Sequence, residues 1–273
     1  MATVKVNGVQ LVYEFSGTGE VPLVLVHGSW VSRHNWDLVV PSLAESFQVL
    51  RYDRRRHSES ERPTVQGSVR EDVADLAALI EHFGLAPVWV AGNSFGGSIT
   101  LRLATERPDL LRGIMVHEPP LFSLVNDDPT AAPMLEEAYG GVGAVVESIG
   151  SGDYVGAAKR FVDTVAIGPG SWAQLPPDLQ QELIENVPTF LDEARDPEQL
   201  AIDLARIKAF SRPSLISKGD QSPPIFAPVI AKLADVLPKV EAVTFPGAGH
   251  TPHITHPDIY VEAITAFIRK NST

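Results

Sequence analysis

The residues most able to do chemistry cluster at 91–97, where the chain reads Ala91-Gly92-Asn93-Ser94-Phe95-Gly96-Gly97. This is a G-x-S-x-G pattern between an apolar run and a helical pattern. A sharp strand-to-helix turn there would hold the Ser94 hydroxyl exposed on a strained backbone. Glycines at 92 and 96 let neighbouring chain pass close by. A hydroxyl is a weak nucleophile until a base takes its proton and a carboxylate orients that base. Of the eight histidines, His250 lies in the Gly-rich stretch Gly247-Ala248-Gly249-His250-Thr251-Pro252, between the last strand pattern and the last helix pattern. For the carboxylate, Asp220 in Lys218-Gly219-Asp220-Gln221 follows a strand pattern, and the chain order Ser94, Asp220, His250 suits three successive strand ends. Glu118, just after the run ending at Val116, is the rival acid and, with Asp220 in that role, a candidate to line the substrate pocket. Two backbone N–H groups should stabilise an oxyanion, that of Phe95 and that of Ser29 in Val26-His27-Gly28-Ser29-Trp30.

Other chemistries fit less well. His250, His253 and His256 invite a zinc reading, but Pro252 and Pro257 interrupt them and the spacing suits no single helical face, so no metal is expected. His253 is expected at the pocket mouth, and His27 reads as a hydrogen-bonded structural residue. With no cysteine there is no thiolate site, disulfide or thiol nucleophile. A net charge of −12 argues against nucleic acid as the main partner, because phosphate binding needs a basic face. No run approaches 18 apolar residues, so no membrane span is expected. The first residues lack a basic stretch followed by an apolar one, which leads to the expectation of a cytoplasmic protein.

Strand and helix patterns alternate around these residues. Val4–Val6 and Val9–Phe15 flank Asn7-Gly8, a hairpin signal. Apolar runs follow at 21–26, 47–52, 87–91, 113–116 and 213–217, as in a parallel sheet buried on both faces. Val240–Phe245 alternates more, as an edge strand would. Helical spacing covers 69–83, with Gly84 as a stop, and 99–107, 224–237 and 257–269. The class is α/β with a mostly parallel sheet. One stretch breaks the alternation: 121–210 is helical in pattern, lacks a convincing strand, and carries 15 acidic against 5 basic residues, a net charge of −10. It reads as a helical cap inserted into a core formed by 1–120 and 211–273. Its aromatic residues and those near the turn, Trp30, Phe95, Phe122, Tyr139, Tyr154, Phe161 and Trp172, are candidates to line an apolar pocket.

The combination of His27-Gly28, Tyr52-Asp53-Arg54-Arg55, Gly92-Asn93-Ser94-Phe95-Gly96-Gly97, Asp220 and Gly249-His250 resembles the α/β-hydrolase superfamily over essentially the whole chain. The resemblance implies an eight-stranded, mostly parallel sheet flanked by helices, a variable cap at 121–210 and a Ser-His-Asp triad. It implies no cofactor. Relatives that open epoxides or remove halides carry aspartate where Ser94 stands, so serine points to acyl transfer on carboxylic esters or lactones of small to medium neutral substrates. Carbon–carbon bond hydrolases and perhydrolases of this fold use the same triad, and some proteins of the fold are ligand-binding receptors. One departure stands out. In Asp53-Arg54-Arg55-Arg56-His57-Ser58, Arg56 and Ser58 occupy positions where relatives commonly have glycine, so this loop must take a different path or accept strain.

Overall fold

A computed structural model describes residues 2–272. Eight strands form one sheet: β1 (Ala2–Val6), β2 (Val9–Ser16), β3 (Pro22–Val26), β4 (Gln48–Tyr52), β5 (Val88–Asn93), β6 (Leu111–His117), β7 (Ser214–Gly219) and β8 (Val240–Phe245). The spatial order is β1-β2-β4-β3-β5-β6-β7-β8. β2 pairs antiparallel with both β1 and β4, and every later pairing is parallel. The Asn7-Gly8 turn has φ of 45° and 80°, the left-handed pair that a tight hairpin requires. The central strands β3 and β5 are buried at every residue, which explains their unbroken apolar runs. β8 is half exposed at the sheet edge, as its alternating sequence anticipates.

Helices cover both faces. α1 (Val40–Ala44) and α11 (Pro257–Asn271) pack on one, with Trp36, Trp89, Tyr260 and Phe267 in a common core. α2 (Val69–His82), α3 (Phe95–Glu106) and α9 (Phe226–Val236) cover the other. α2 starts at a capping box in which the Glu71 carboxylate accepts from the Ser68 N–H at 3.1 Å. Its inner face is mixed: Val73, Leu76 and Ile80 join the core, while Asp72 and Asp75 are buried against arginines.

Between β6 and β7 the chain forms α4 (Ala132–Gly150), α5 (Tyr154–Phe161), a single π-helical turn (Val162–Ala166), α6 (Pro177–Asn186), α7 (Thr189–Arg195) and α8 (Leu204–Ala209), with no strand among the described residues. These helices have a hydrophobic cluster of their own, with Val145, Ile149, Ala157, Leu183 and Phe190 at its centre. Trp30 and Val31, from the loop after β3, are the residues of the sheet portion that enter that cluster. The short α10 (Pro252–Thr255) follows His250 and leads into α11.

Candidate active site

β5 ends at Asn93, and α3 begins at Phe95, so a single residue turns the chain. That residue is Ser94, with φ 54° and ψ −123°, a conformation that strains any side-chain-bearing residue. α3 therefore starts four residues earlier than the periodicity at 99 suggests, immediately after the nucleophile candidate. A Cβ on Gly96 would lie 2.2 Å from the Val26 carbonyl oxygen, so only glycine permits α3 to pass the end of β3 this closely. The turn is held by the Ser94 N–H donating to the His117 carbonyl at 2.8 Å.

His250 sits beside Ser94 in the same cavities. Its Nδ1 lies 2.7 Å from Glu118 Oε2, and both side chains are nearly or wholly buried. The Phe226 ring stacks on the imidazole at 4.7 Å and 19°, and the Asn93 amide donates to the His250 carbonyl at 3.0 Å. The imidazole is thus held by Glu118 at its edge and Phe226 on its face, while Asn93 fixes the backbone beneath it.

The carboxylate at this position corrects the expectation from sequence. Asp220 does not reach His250. It is exposed, and its Oδ1 accepts from the Gly247 N–H at 2.8 Å and from Gln221 at 3.1 Å, on the outer side of the histidine loop. Glu118, the rival, takes the place. It follows β6 directly, with φ 44°, and its N–H donates to the Ser217 carbonyl at 3.1 Å. From there its side chain crosses the end of β7. Oε1 accepts from the Gly219 N–H at 2.7 Å, and Oε2 receives His250. Burial alone would push the Glu118 carboxyl up. The hydrogen bond and charge of His250, with smaller help from His117 and Ser222, outweigh it and hold the group below its ordinary value. His117 is also buried, which pushes its pKa down to about 4 despite the neighbouring Glu118 charge. It donates or accepts with Ser217 Oγ at 3.0 Å and stays neutral near pH 7.

The loop after β3 brings Gly28 and Ser29 over the turn, and a Cβ on Gly28 would be only 3.1 Å from Ser94 Cβ. The backbone N–H groups of Ser29 and Phe95 are engaged by no other group among the described residues. His27 is structural, as its sequence position suggests. Its Nε2 accepts from the Arg54 N–H at 2.9 Å, its Nδ1 contacts the Gly28 carbonyl at 2.8 Å, and burial keeps it neutral.

Two cavities meet at Ser94 and His250. The larger, about 290 Å³, is lined by Val31, Asn35, Val162, Ile167, Leu179, Leu183 and Ile254 among others, with no carboxylate, lysine or arginine side chain. The smaller, about 70 Å³, is lined by Phe95, Phe122, Tyr139, Val142, Phe226 and Glu193 among others. Phe122 thus lies in the pocket as expected. Other expected lining residues do not: Tyr154, at the start of α5, is exposed, and Glu118 lines neither cavity. Trp30 is fully buried in the inserted helices' cluster, stacked on Phe161 at 4.4 Å. Trp172 packs on the outside of that cluster. His253 is buried against Trp36, and its Nε2 pairs with Asn35 at 2.8 Å, so Asn35 faces the cavity in its stead. His256 contacts Thr255, and the three histidines 250, 253 and 256 share no focus.

The loop Asp53–Ser60 accepts strain, because Arg56 and Ser58 have φ of 68° and 47°. Its arginines are paired and do not face the cavity. Arg54 donates to Asp72, Glu193 and the Gly28 carbonyl, Arg55 to Asp75 and Glu71, and Arg56 pairs with Asp192 at 3.0 Å. Glu193, reaching in from α7, was not legible in the sequence, where it is one acid among many in a charged helical stretch.

The sheet order, the strained serine turn and the histidine loop are those of the α/β-hydrolase fold, and the model of that family matches residues 21–257. The chain belongs to this family. It is 24% identical over 272 residues to a pimeloyl-[acyl-carrier protein] methyl ester esterase of Yersinia pseudotuberculosis, covering 96% of this chain and 98% of that protein. It is 35% identical over 111 residues to a soluble epoxide hydrolase of Corynebacterium sp., a match spanning 41% of this chain and 38% of that protein's length. The crystal structure of an α/β hydrolase from Sphaerobacter thermophilus superposes with a TM-score of 0.79 at 26% identity, covering 98% of this chain and all of that one. Together these support a hydrolase.

Proposed function

We propose that the chain is a serine hydrolase of carboxylic esters or lactones, with Ser94 as nucleophile, His250 as general base and Glu118 as the orienting acid. The observation that carries this reading is the 2.7 Å contact of His250 Nδ1 with the buried Glu118 carboxylate, beside a serine on a strained turn. A carboxylate on Nδ1 fixes the tautomer that leaves Nε2 free to take the Ser94 proton. The hydroxyl oxygen attacks the carbonyl carbon. The resulting oxyanion is met by the N–H groups of Phe95 and Ser29, and the α3 N-terminus adds a favourable dipole. Collapse expels the alcohol, which takes its proton from His250. Water then gives a proton to His250 and attacks the acyl carbon, and as the acid is released His250 returns that proton to the departing Ser94 oxygen.

Residues 121–210 act in this reading as a cap over the carboxyl ends of the strands, leaving 1–120 and 211–273 as the catalytic core. The uncharged lining of the larger cavity favours a neutral apolar limb of medium size. The acidic cap adds long-range repulsion against anionic substrates. The test is hydrolysis of p-nitrophenyl acetate, butyrate and octanoate by the wild type and Ser94→Ala. Turnover by the wild type that disappears in the variant is expected. Equal rates for the two proteins would overturn the assignment.

A further inference from the structure

The peptide that presents the Ser29 N–H is held by Arg54 and His27, and is linked to the inserted helices through Arg54 and the Ser29 hydroxyl. Its carbonyl, that of Gly28, accepts from Arg54 Nη1 at 3.1 Å and contacts His27 Nδ1 at 2.8 Å. The C=O and N–H of one trans peptide point in opposite directions. Anchoring the carbonyl on Arg54 and His27 therefore sets the direction of the Ser29 N–H. Arg54 is itself wholly buried and lies over the Phe95 ring at 4.6 Å. Its two carboxylate partners are Asp72 of α2 and Glu193 of α7.

Glu193 acts on both ends of this peptide. Its Oε1 accepts from Arg54 Nη2 at 2.9 Å, and its Oε2 accepts from the Ser29 hydroxyl at 2.5 Å. It is buried and lines the smaller cavity together with Ser29, Ser94 and His250. The next residue in the loop is bound to the same helices. Trp30 has φ 72°, its carbonyl accepts from the Asn186 amide at 3.0 Å, and its ring is built into the helical cluster. A left-handed tryptophan persists only where its surroundings hold it.

We infer that Glu193 is a positioning residue for the oxyanion hole: from α7 it holds the Gly28–Ser29 peptide so that the Ser29 N–H faces the reacting carbonyl. The inserted helices then complete the catalytic machinery, in addition to shaping the pocket. This rests on the serine-hydrolase reading above. Burial pushes the Glu193 carboxyl up against the opposing pull of Arg54 and Ser29, as expected of a group shielded from water.

The experiment measures kcat and KM on p-nitrophenyl butyrate, and the inhibition constant of an aryl trifluoromethyl ketone, for wild type, Glu193→Gln, Ser29→Ala and the double variant. Ser29→Ala removes the hydroxyl and keeps the backbone N–H. Loss of one oxyanion donor lowers kcat by roughly 10²–10³-fold, so a displaced one should lower it at least about tenfold. Each single variant is expected to lose that much kcat with KM within about twofold. Ketone affinity should fall in parallel, and the double variant should be no worse than the poorer single. The inference is overturned if the single variants keep kcat within about twofold, if their losses multiply, or if KM alone rises. Should Glu193→Gln not fold, Ser29→Ala decides the matter by the same kcat and ketone readouts. Failure of the underlying reading looks different, since Ser94→Ala would then turn over the ester at the wild-type rate.

Discussion

At the scale of single residues, the choice between Glu118 and Asp220 decides how the histidine is held. A glutamate after β6 has one methylene more than an aspartate, which lets it span the end of β7 and meet His250 from a buried position. An aspartate three residues beyond Ser217 falls outside the histidine loop instead and braces it at Gly247. Glu118→Gln should therefore lower kcat by about 10³–10⁴-fold, the scale seen when an orienting carboxylate becomes an amide and the histidine tautomer is lost. Asp220→Asn should stay within about threefold of wild type, because an amide oxygen can still accept from Gly247. Steady-state rates on p-nitrophenyl butyrate check both, and the reverse ranking would restore Asp220 to the acid's role. The sequence made Ser94 and His250 legible because their local patterns, G-x-S-x-G and a Gly-rich loop before the last helix, are set by backbone constraints. The acid has no such pattern. Which strand end supplies it depends on side-chain reach across β7, a distance that exists only in the fold.

At the scale of elements, strands and flanking helices were readable because burial on two faces imposes an apolar run and burial on one face imposes helical spacing. The helix after Ser94 was read late because Phe95-Gly96-Gly97-Ser98 carries little helical propensity; packing against β3 and β6 starts the helix there in spite of it. Residues 121–210 were legible as helical but not in their packing. Trp30 and Trp172 were expected in a pocket, yet both pack in or on the cluster formed by α4 to α7, for which the sequence gives no sign distinct from pocket lining. The π-helical turn Val162–Ala166 is followed by Ile167, which lines the larger cavity and not the smaller. Ile167→Trp should fill part of the 290 Å³ space, lowering kcat/KM for the octanoate ester at least about tenfold while the acetate ester changes less than about twofold. A uniform loss across chain lengths would count against this cavity as the home of the longer limb. The Arg54 cluster ties the loop after β4 to α2 and α7 through charges that have lost their water. Arg54→Met leaves Asp72 and Glu193 buried without their partner and should destabilise by about 3–5 kcal/mol, read as a lowered urea midpoint at unchanged slope.

At the scale of the whole molecule, the response to acid follows from histidines scattered through the interior. His27, His57 and His253 are wholly buried, which drives each well below its ordinary value, and His117 is pushed to about 4. An unfolded chain takes up a proton at each of them near pH 6.5, whereas the folded chain does not until a much lower pH. The unfolded state therefore binds more protons throughout that window, so stability rises with pH across it and falls as pH drops below about 6.5. For His117 the window runs down to about pH 4 and corresponds to roughly 3 kcal/mol once fully crossed. Glu118 acts in the same sense at lower pH: its carboxyl is depressed in the fold, so its stabilising contribution is present above about pH 4.5 and is lost as pH falls further. Urea denaturation at pH 7, 6 and 5 should show the midpoint falling steadily, with calorimetry at pH 5.5 recording uptake of more than one proton per molecule unfolded. A stability independent of pH between 7 and 5 would mean that these imidazoles are charged or hydrated in the folded protein, against their burial. Because His117 lies between Ser217 and the Glu118–His250 pair, its protonation also places a cation beside the base. Activity should then be lost in acid before the chain unfolds, and the two pH profiles, rate and midpoint, should separate below about pH 5.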